Sequence, residues 1–422
     1  MLTLRPQVAA DLPEVGSRRL AVRLTADALT HVRRGSPWVF EGSVETVNLQ
    51  GEEQPGDLAV IFDPRREFAA IGLWDPDSPI RIKVLHAGPP RQIDADFWSQ
   101  RVGAAVERRA TLHEDPDTDA YRVIHGENDG FPGLIVDRYA TTLVIKIYSA
   151  IWWPHLRAVL EPLVASQTPS RVILRLARSV TAPGEHLRDG STLIGEPSTA
   201  PVIIRERGLQ LEADVVTGNK TGHFLDQRDN RSLVRASVGA YPKGAEVLDV
   251  FSHTGGFALS AAAGGARKVH MVDVSAAALE AAARNFTLNR HIHAVRECQV
   301  RTTVGDAFEV LAQLRADDYS FDVVILDPPS FAHAERNVSK AEQAYFRLTQ
   351  AGLRLLRPGG LLVQASCSSR IDDESFYRIV HEAAVHARRD LQEIRRTGHP
   401  IDHPVGFEYG AYLKAVFARA RN

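Results

Sequence analysis

Two mostly apolar runs that each stop on polar, reactive residues constrain this chain most. Phe321-Asp322-Val323-Val324-Ile325-Leu326 ends in Asp327-Pro328-Pro329-Ser330-Phe331, and Leu361-Leu362-Val363-Gln364-Ala365 ends in Ser366-Cys367-Ser368-Ser369. Short Val/Leu/Ile runs of this kind predict strands buried on both faces, as in a parallel sheet. Ligands of open α/β sheets bind outside the carboxyl ends of the strands, so chemistry is expected at these two tips.

From Glu246 onward the pattern alternates. Strands are predicted at Val247–Phe251, Lys268–Val272, Arg301–Val304, Phe321–Leu326 and Leu361–Ala365, and helices at Phe257–Ala263, Ala276–Asn289, Phe308–Leu314, Lys340–Leu355 and Ser375–Ala387. That order predicts an α/β fold with a doubly wound, Rossmann-like sheet. The first crossing is Asp249-Val250-Phe251-Ser252-His253-Thr254-Gly255-Gly256-Phe257. Gly255 and Gly256 would let the backbone approach a ligand, and the helix start behind them favours an anionic group. The loop lacks the Gly-x-Gly-x-x-Gly fingerprint, which argues against a dinucleotide. Asp273 ends the second strand, where an acid can take both ribose hydroxyls, and Gly305-Asp306-Ala307 ends the third, where Asp306 can accept from an adenine amino group. Any one such acid is equally a helix N-cap, as Ser275 and Asp306 both precede helices. Four acids and a Gly-Gly turn at successive strand tips describe a pocket for a nucleoside with a charged tail, which suits S-adenosylmethionine.

Upstream, short strands at Leu20–Leu24, Trp38–Phe40, Asp57–Asp63, Ala69–Trp74 and Ile80–Leu85, with one helix at Ala26–Arg34, predict a small, mostly-β barrel. His31, Arg33, Arg34 and Trp38 form either an RNA-contacting edge, with guanidiniums on phosphate and a ring for stacking, or a solvated helix end beside a core tryptophan. A second segment, starting with a helix over Ala95–His113 and continuing through strands at Tyr121–His125, Gly133–Tyr139, Thr142–Ile147 and Arg171–Leu176, reads as an α+β unit. His125 and Glu127 at its turn read as structural hydrogen-bonding groups. Three domains are expected: residues 1–88, 89–204 and 205–422.

Composition narrows the function classes. The chain has 422 residues, 44% hydrophobic and 24% charged, which is ordinary for a globular protein. Residues 1–16 carry no basic stretch followed by an apolar run, and nothing approaches the ~20 apolar residues of a membrane span, so a soluble, cytoplasmic protein with no membrane partner is expected. Two cysteines, Cys298 and Cys367, make neither a disulfide framework nor a zinc site by themselves, and no metal is expected. The net charge of −2 gives no global attraction to nucleic acid, so such binding must rest on local patches. Only seven of the 50 basic residues are lysine, and arginine is the better fork for phosphate, although a G+C-rich genome gives the same bias.

The motifs Asp249–Phe257, Asp327–Phe331 and Ser366–Ser369, with Lys220–Arg228 upstream and Arg34–Phe40 near the start, resemble bacterial large-subunit ribosomal RNA methyltransferases that make 5-methylcytosine. The resemblance spans almost the whole chain. It implies a PUA domain (an RNA-binding module), a middle α+β domain and a class I methyltransferase domain. It further implies S-adenosylmethionine as cofactor, 23S or precursor large-subunit ribosomal RNA as partner, and leaves a homodimer open. By the same similarity Phe224 and Gln227 line the methionine end of the cofactor, Asp249, Phe251, Thr254, Gly255 and Gly256 its amino-acid loop, Asp273 its ribose and Asp306 with Ala307 its adenine, with Asp327 close by.

The residues themselves fit that chemistry. Carbon 5 of cytosine is a poor nucleophile until a thiolate adds to carbon 6, and Cys367 sits at a strand tip among hydroxyls. Asp327 would bond the cytosine amino group or N3, Pro328 would shape the slot, and Phe331 would either stack on a flipped base or pack in the core. Cys298 reads as packing. The chain departs from two-cysteine enzymes of this chemistry, because no cysteine accompanies Asp327. The alternatives are a guanine or adenine N-methyltransferase, a non-catalytic RNA-binding assembly factor that holds the cofactor, and, weakest, a dinucleotide-dependent reductase.

Overall fold

In a computed structural model the described residues are 3–16, 18–48, 52–331 and 338–421. They divide into two compact units. The first holds residues 1–204, 213–225 and 401–410, and the second residues 205–212, 226–400 and 411–422.

The first unit contains two sheets. The six-stranded sheet runs in the order Trp38–Phe40, Ile80–Ala87, Phe68–Trp74, Leu58–Phe62, Arg19–Leu24, Val44–Asn48. Arg19–Leu24 alternates exposed and buried residues, so its side chains point in turn to solvent and core. Helix Ala26–Arg33 is started by the Thr25 hydroxyl, which accepts from the Ala28 amide. The five-stranded sheet runs Thr192–Ile194, Arg171–Leu176, Thr142–Ile147, Leu134–Tyr139, Ala120–His125, with helices Ala95–Glu107 and Leu156–Gln167 against it. Its core is aromatic, with Trp98 in edge or stacked contact with Phe97, Phe131 and Trp152. Leu58, Ile71, Leu73 and Leu85 of the six-stranded sheet join that same core.

The second unit is built on one sheet, whose strands are β1 (Glu246–Val250), β2 (Lys268–Asp273), β3 (Gln299–Val304), β4 (Phe321–Leu326), β5 (Leu356–Ser366), β6 (Leu391–Thr397) and β7 (Lys414–Ala420). The order is β3-β2-β1-β4-β5-β7-β6. The first five are parallel, and β7 runs antiparallel to β5 and to β6. Strand order reverses between β1 and β4, which opens a crevice at their carboxyl ends. The flanking helices are α1 (Arg228–Val238), α2 (Gly256–Ala263), α3 (Ala276–Leu288), α4 (Ala307–Ala316), α5 (Val338–Arg354) and α6 (Asp373–His386). Val250, Leu248, Val324, Leu326 and Leu362 are fully buried, as strands covered on both faces require.

All five expected parallel strands are present, within a few residues at their ends. Sequence periodicity did not anticipate the terminal hairpin of β6 and β7. Its outer strand, Leu-Gln-Glu-Ile-Arg-Arg-Thr, is largely exposed, and charge on an edge strand blunts the apolar signal while it discourages edge-to-edge pairing. Among the described residues no helix is long and apolar enough to cross a membrane. Leu362 lies at the centre of this core, so Leu362→Ala is expected to cost about 2–5 kcal/mol, read as a lower midpoint in urea unfolding with an unchanged slope.

Candidate active site

The loop after β1 is held in a strained path. Phe251, His253 and Gly255 all have positive φ (64°, 48° and 76°), and for the two non-glycine residues this costs on the order of 1–3 kcal/mol each. Among the bonds that hold it, the Phe251 amide donates to the Val272 carbonyl, the His253 amide to Asp273 Oδ2 at 2.8 Å, and Asn285 Nδ2 to the Thr254 carbonyl at 2.9 Å. A Cβ on Gly255 would meet Ala282 at 2.8 Å, and one on Gly256 would meet Arg231 Cδ at 3.0 Å. The two glycines therefore leave room for protein neighbours, and a side chain at either position would push against them.

Asp249, at the end of β1, is fully buried. Its Oδ2 accepts from the Ala258 amide at 3.0 Å, while Oδ1 has no hydrogen-bond partner. Burial holds its carboxyl well above the usual carboxylate range, the Ala258 bond opposes that, and Asp327 and Asp273 push it further up. Three carboxylates thus converge at the ends of β1, β2 and β4. Arg231 is the one cation that acts on Asp249 against them, and a cluster with this excess of carboxylates suits a positively charged ligand. Asp306 accepts from the Phe308 and Glu309 amides at 2.9 and 3.3 Å and so is the N-cap of α4, with Ala307 buried behind it.

At the tips of β4 and β5 a single amide joins both functional groups. Gln227, buried just ahead of α1, donates from Nε2 to Asp327 Oδ1 at 2.9 Å and lies 4.0 Å from Cys367 Sγ. The amide is fixed from behind: Asn230 Nδ2 donates to Gln227 Oε1 at 2.6 Å, and Thr397 Oγ1 donates to Asn230 Oδ1 at 2.6 Å. Cys367 is in no disulfide and is partly exposed. Ser366 beside it is buried and donates to the Tyr345 hydroxyl at 2.9 Å. Lys414, buried on β7, donates to the carbonyls of Ser368 and Ile371 and so grips the segment that follows Cys367. Burial pulls its ammonium below the ordinary lysine value, and the carboxylates of Asp373 and Asp372 and the Cys367 sulfur act in the opposite sense.

The remaining expected site residues are placed as follows. Pro328 is buried at the start of the β4 turn, and Phe331 is half-buried, edge-on to Tyr345 with ring centroids 5.0 Å apart. Cys298 is buried, and burial pushes its thiol up to about 11, in keeping with packing. Phe224 belongs to the first unit, where the Lys220 ammonium lies 4.4 Å from its ring. In the same unit Arg34 is exposed at the end of its helix, while Arg33 pairs with Asp63 at 3.1 Å. Trp38 is half-buried, donates to Glu127 Oε1 at 3.1 Å and lies against Phe407 and Tyr409. Glu127 also accepts from the Gly133 amide, so its role is structural, as expected. Sequence reasoning missed Asn230, Thr397, Tyr345 and Lys414. Of these only Lys414 leaves a trace, as one of seven lysines, opening the apolar run Ala415-Val416-Phe417-Ala418.

An S-adenosylmethionine-dependent methyltransferase family model matches residues 165–419, and a PUA-like domain model matches residues 22–87. A ribosomal RNA large subunit methyltransferase of Deinococcus radiodurans is 45% identical over 96% of this chain and 98% of its own length. A ribosomal RNA large subunit methyltransferase I of Shewanella denitrificans is 35% identical over 95% and 99%. A SAM-dependent methyltransferase of known structure from Streptococcus mutans superposes with a TM-score of 0.78 over 95% of this chain and 100% of its own, at 18% identity, which speaks for the fold. The chain therefore belongs to the S-adenosylmethionine-dependent methyltransferases and, within them, to the family of these large-subunit enzymes.

Its cofactor is S-adenosylmethionine. The site fits that molecule on its own terms, because the cofactor carries an ammonium and a sulfonium, and the unpartnered Oδ1 of buried Asp249 lies among further carboxylates.

Two outcomes follow from the electrostatics. The raised Asp249 carboxyl means that the native state binds a proton which the unfolded state releases above about 3.8, so the cofactor-free protein loses stability as pH rises past that value. Asp249→Asn is expected to raise the melting temperature of the cofactor-free protein at pH 7, with no gain below pH 3.8, and to shrink the stabilisation given by added S-adenosylmethionine. The Lys414 ammonium favours a thiolate nearby, so Lys414→Met is expected to slow iodoacetamide alkylation of Cys367 at pH 7 by roughly threefold to tenfold, and Lys414→Arg to restore most of it.

Proposed function

We propose that this protein methylates carbon 5 of a cytosine in large-subunit (23S) ribosomal RNA, in the cytoplasm, through a covalent bond to Cys367. The observation that carries the reading is the Gln227 amide set between Asp327 and Cys367 at the carboxyl ends of adjacent parallel strands. The names of the full-length relatives support ribosomal RNA as the substrate. Residues 1–88 would serve as the RNA-binding module, residues 89–204 as the domain that adds RNA recognition, and residues 205–422 as the catalytic domain.

Each step uses a residue of the chain. The Cys367 thiolate forms a bond to carbon 6 of cytosine, and the electron pair displaced from the ring makes carbon 5 nucleophilic. Asp327 accepts from the cytosine amino group and from N3 as that nitrogen takes a proton from solvent, which neutralises the charge arriving on the ring. Bound S-adenosylmethionine supplies an electrophilic methyl group to carbon 5. Loss of the carbon-5 proton to a base then re-forms the ring double bond and expels the Cys367 thiolate, and N3 returns its proton to solvent. Gln227 holds Asp327 toward the base and offers Cys367 Sγ a weak N–H donor, which favours its charged form. Buried Pro328 fixes the backbone after Asp327, and Asp249, Asp273 and Asp306 hold the cofactor along the strand tips, with the half-buried Phe331 at the rim of the base slot.

Nucleoside mass spectrometry of ribosomal RNA from cells with and without the gene, followed by bisulfite mapping, tests this reading. One 5-methylcytosine is expected to disappear, and Cys367→Ala is expected not to restore it, with turnover down at least about a thousandfold while cofactor binding persists. RNA carrying 5-fluorocytosine is expected to stay covalently joined to the native enzyme, because fluorine cannot leave as the proton does. Disappearance of a methylated guanine or adenine instead would remove the covalent mechanism and leave Cys367 a packing residue.

A further inference from the structure

Arginine is crowded around one cavity of the first unit in a way that the fold by itself does not require. The cavity, about 370 Å³, is lined by Arg91, Phe97, Gln100, Arg101, Arg108 and Asn128 among others. Two guanidiniums lie over a single ring: Arg101 Cζ is 4.4 Å and Arg91 Cζ 5.1 Å from the centre of Phe97. Neither is paired with a carboxylate among the described residues. Arg101 donates to the carbonyls of Leu85 at 2.7 Å and Gly130 at 2.6 Å, and Arg91 donates to Gln100. Gly130 has φ +77°, and a Cβ there would lie 2.4 Å from Arg101, so the chain keeps a glycine where the guanidinium must pass.

The charge balance at this cavity is lopsided. Asp129 is its one acidic residue, and that carboxylate is already shared, bound in two-pronged fashion by Arg109 at 2.9 and 2.7 Å and paired with Arg108. Burial pulls the Arg101 guanidinium down to about 10, and the nearby charge of Arg91 acts in the same direction, yet it stays protonated at neutral pH. Arg91 and Arg108 are exposed beside the partly buried Arg101, so three guanidiniums are within reach of an anion that enters the cavity. The whole chain carries a charge of −2, so this excess is local and not a reflection of general basicity.

We propose that this cavity of the first unit is a phosphate-binding site for the RNA backbone, in which Arg91, Arg101 and Arg108 grip a phosphodiester. Guanidinium forks match phosphate oxygens, and contacts of this kind set the register of a nucleic acid without reading its sequence. The inference rests on the reading of ribosomal RNA as substrate.

The test measures binding of a large-subunit ribosomal RNA transcript to the full-length protein across a series of salt concentrations, with Arg91→Ala/Arg108→Ala beside the native chain. Loss of two phosphate contacts is expected to lower affinity roughly tenfold to a hundredfold and to flatten the slope of log K against log salt by roughly 1.4–1.8. S-adenosylmethionine affinity should not change, since neither residue lies in the catalytic unit. Arg101→Lys, which keeps the charge and loses the fork, is expected to fall between the two. Unchanged RNA affinity and slope in the double variant would overturn this inference alone. Failure of the native protein to bind the transcript would sink the ribosomal RNA reading, and the phosphate site with it. Inorganic phosphate titrated in parallel separates the two sources of the anion: binding that the double variant abolishes, with RNA affinity intact, would make this a free-anion site and overturn the RNA assignment.

Discussion

The reversal of strand order between β1 and β4 is the constraint on which the catalytic unit depends. Parallel strands all present their carboxyl ends at one edge, and the reversal leaves a gap there that no crossover helix covers. Asp249 and Asp327 end the two strands that flank this gap, and Asp273 ends the next. Their carboxylates repel, and burial of Asp249 adds to the cost, which is tolerable where a cation completes the site. The strained backbone from Phe251 to Gly255 is the companion cost, since the turn must bring amide groups to the same edge without blocking it.

Across the gap the geometry is set by one amide. Gln227 links the β4 and β5 tips, and Asn230 and Thr397 remove its freedom to flip, because each successive oxygen is occupied by the next donor. With Gln227 and Asn230 buried, a network of this kind holds a reactive thiol and a carboxylate at a fixed separation, which a flexible side chain could not do. Lys414 performs a similar task from the other side. It spends two of its three donors on the carbonyls of Ser368 and Ile371 and so stiffens the turn that carries Cys367.

Much of this was legible in the amino-acid order, for identifiable reasons. The five parallel strands are short, continuous apolar runs ending in turn residues, and such runs are long enough to register without tertiary help. Asp249, Asp273, Asp306, Asp327 and Cys367 sit at the ends of those runs, so naming the strands also named the tips. The β6–β7 hairpin escaped notice because β6 is a charged edge strand whose pairing partner lies further along the chain. Trp38 divided evenly between core and surface from sequence, and it is in fact half-buried against Glu127, Phe407 and Tyr409, contacts reaching across as many as 371 positions of the chain.

What the sequence determined by itself is the alternation of strand and helix, the residue types at each strand tip, and through them the class of cofactor and the candidate nucleophile. These are local properties, fixed by side-chain volume, periodicity and turn chemistry over ten or so residues. The tertiary structure alone decided which distant groups meet: Gln227 with Asp327 and Cys367, 100 and 140 positions away, Lys414 with the Cys367 turn, and Arg91 with Arg101 over one ring. Those meetings depend on the register of strands and the docking of helices. No window along the chain encodes them, because the hydrogen bonds and charges involved acquire their strength only when water has been excluded around both partners.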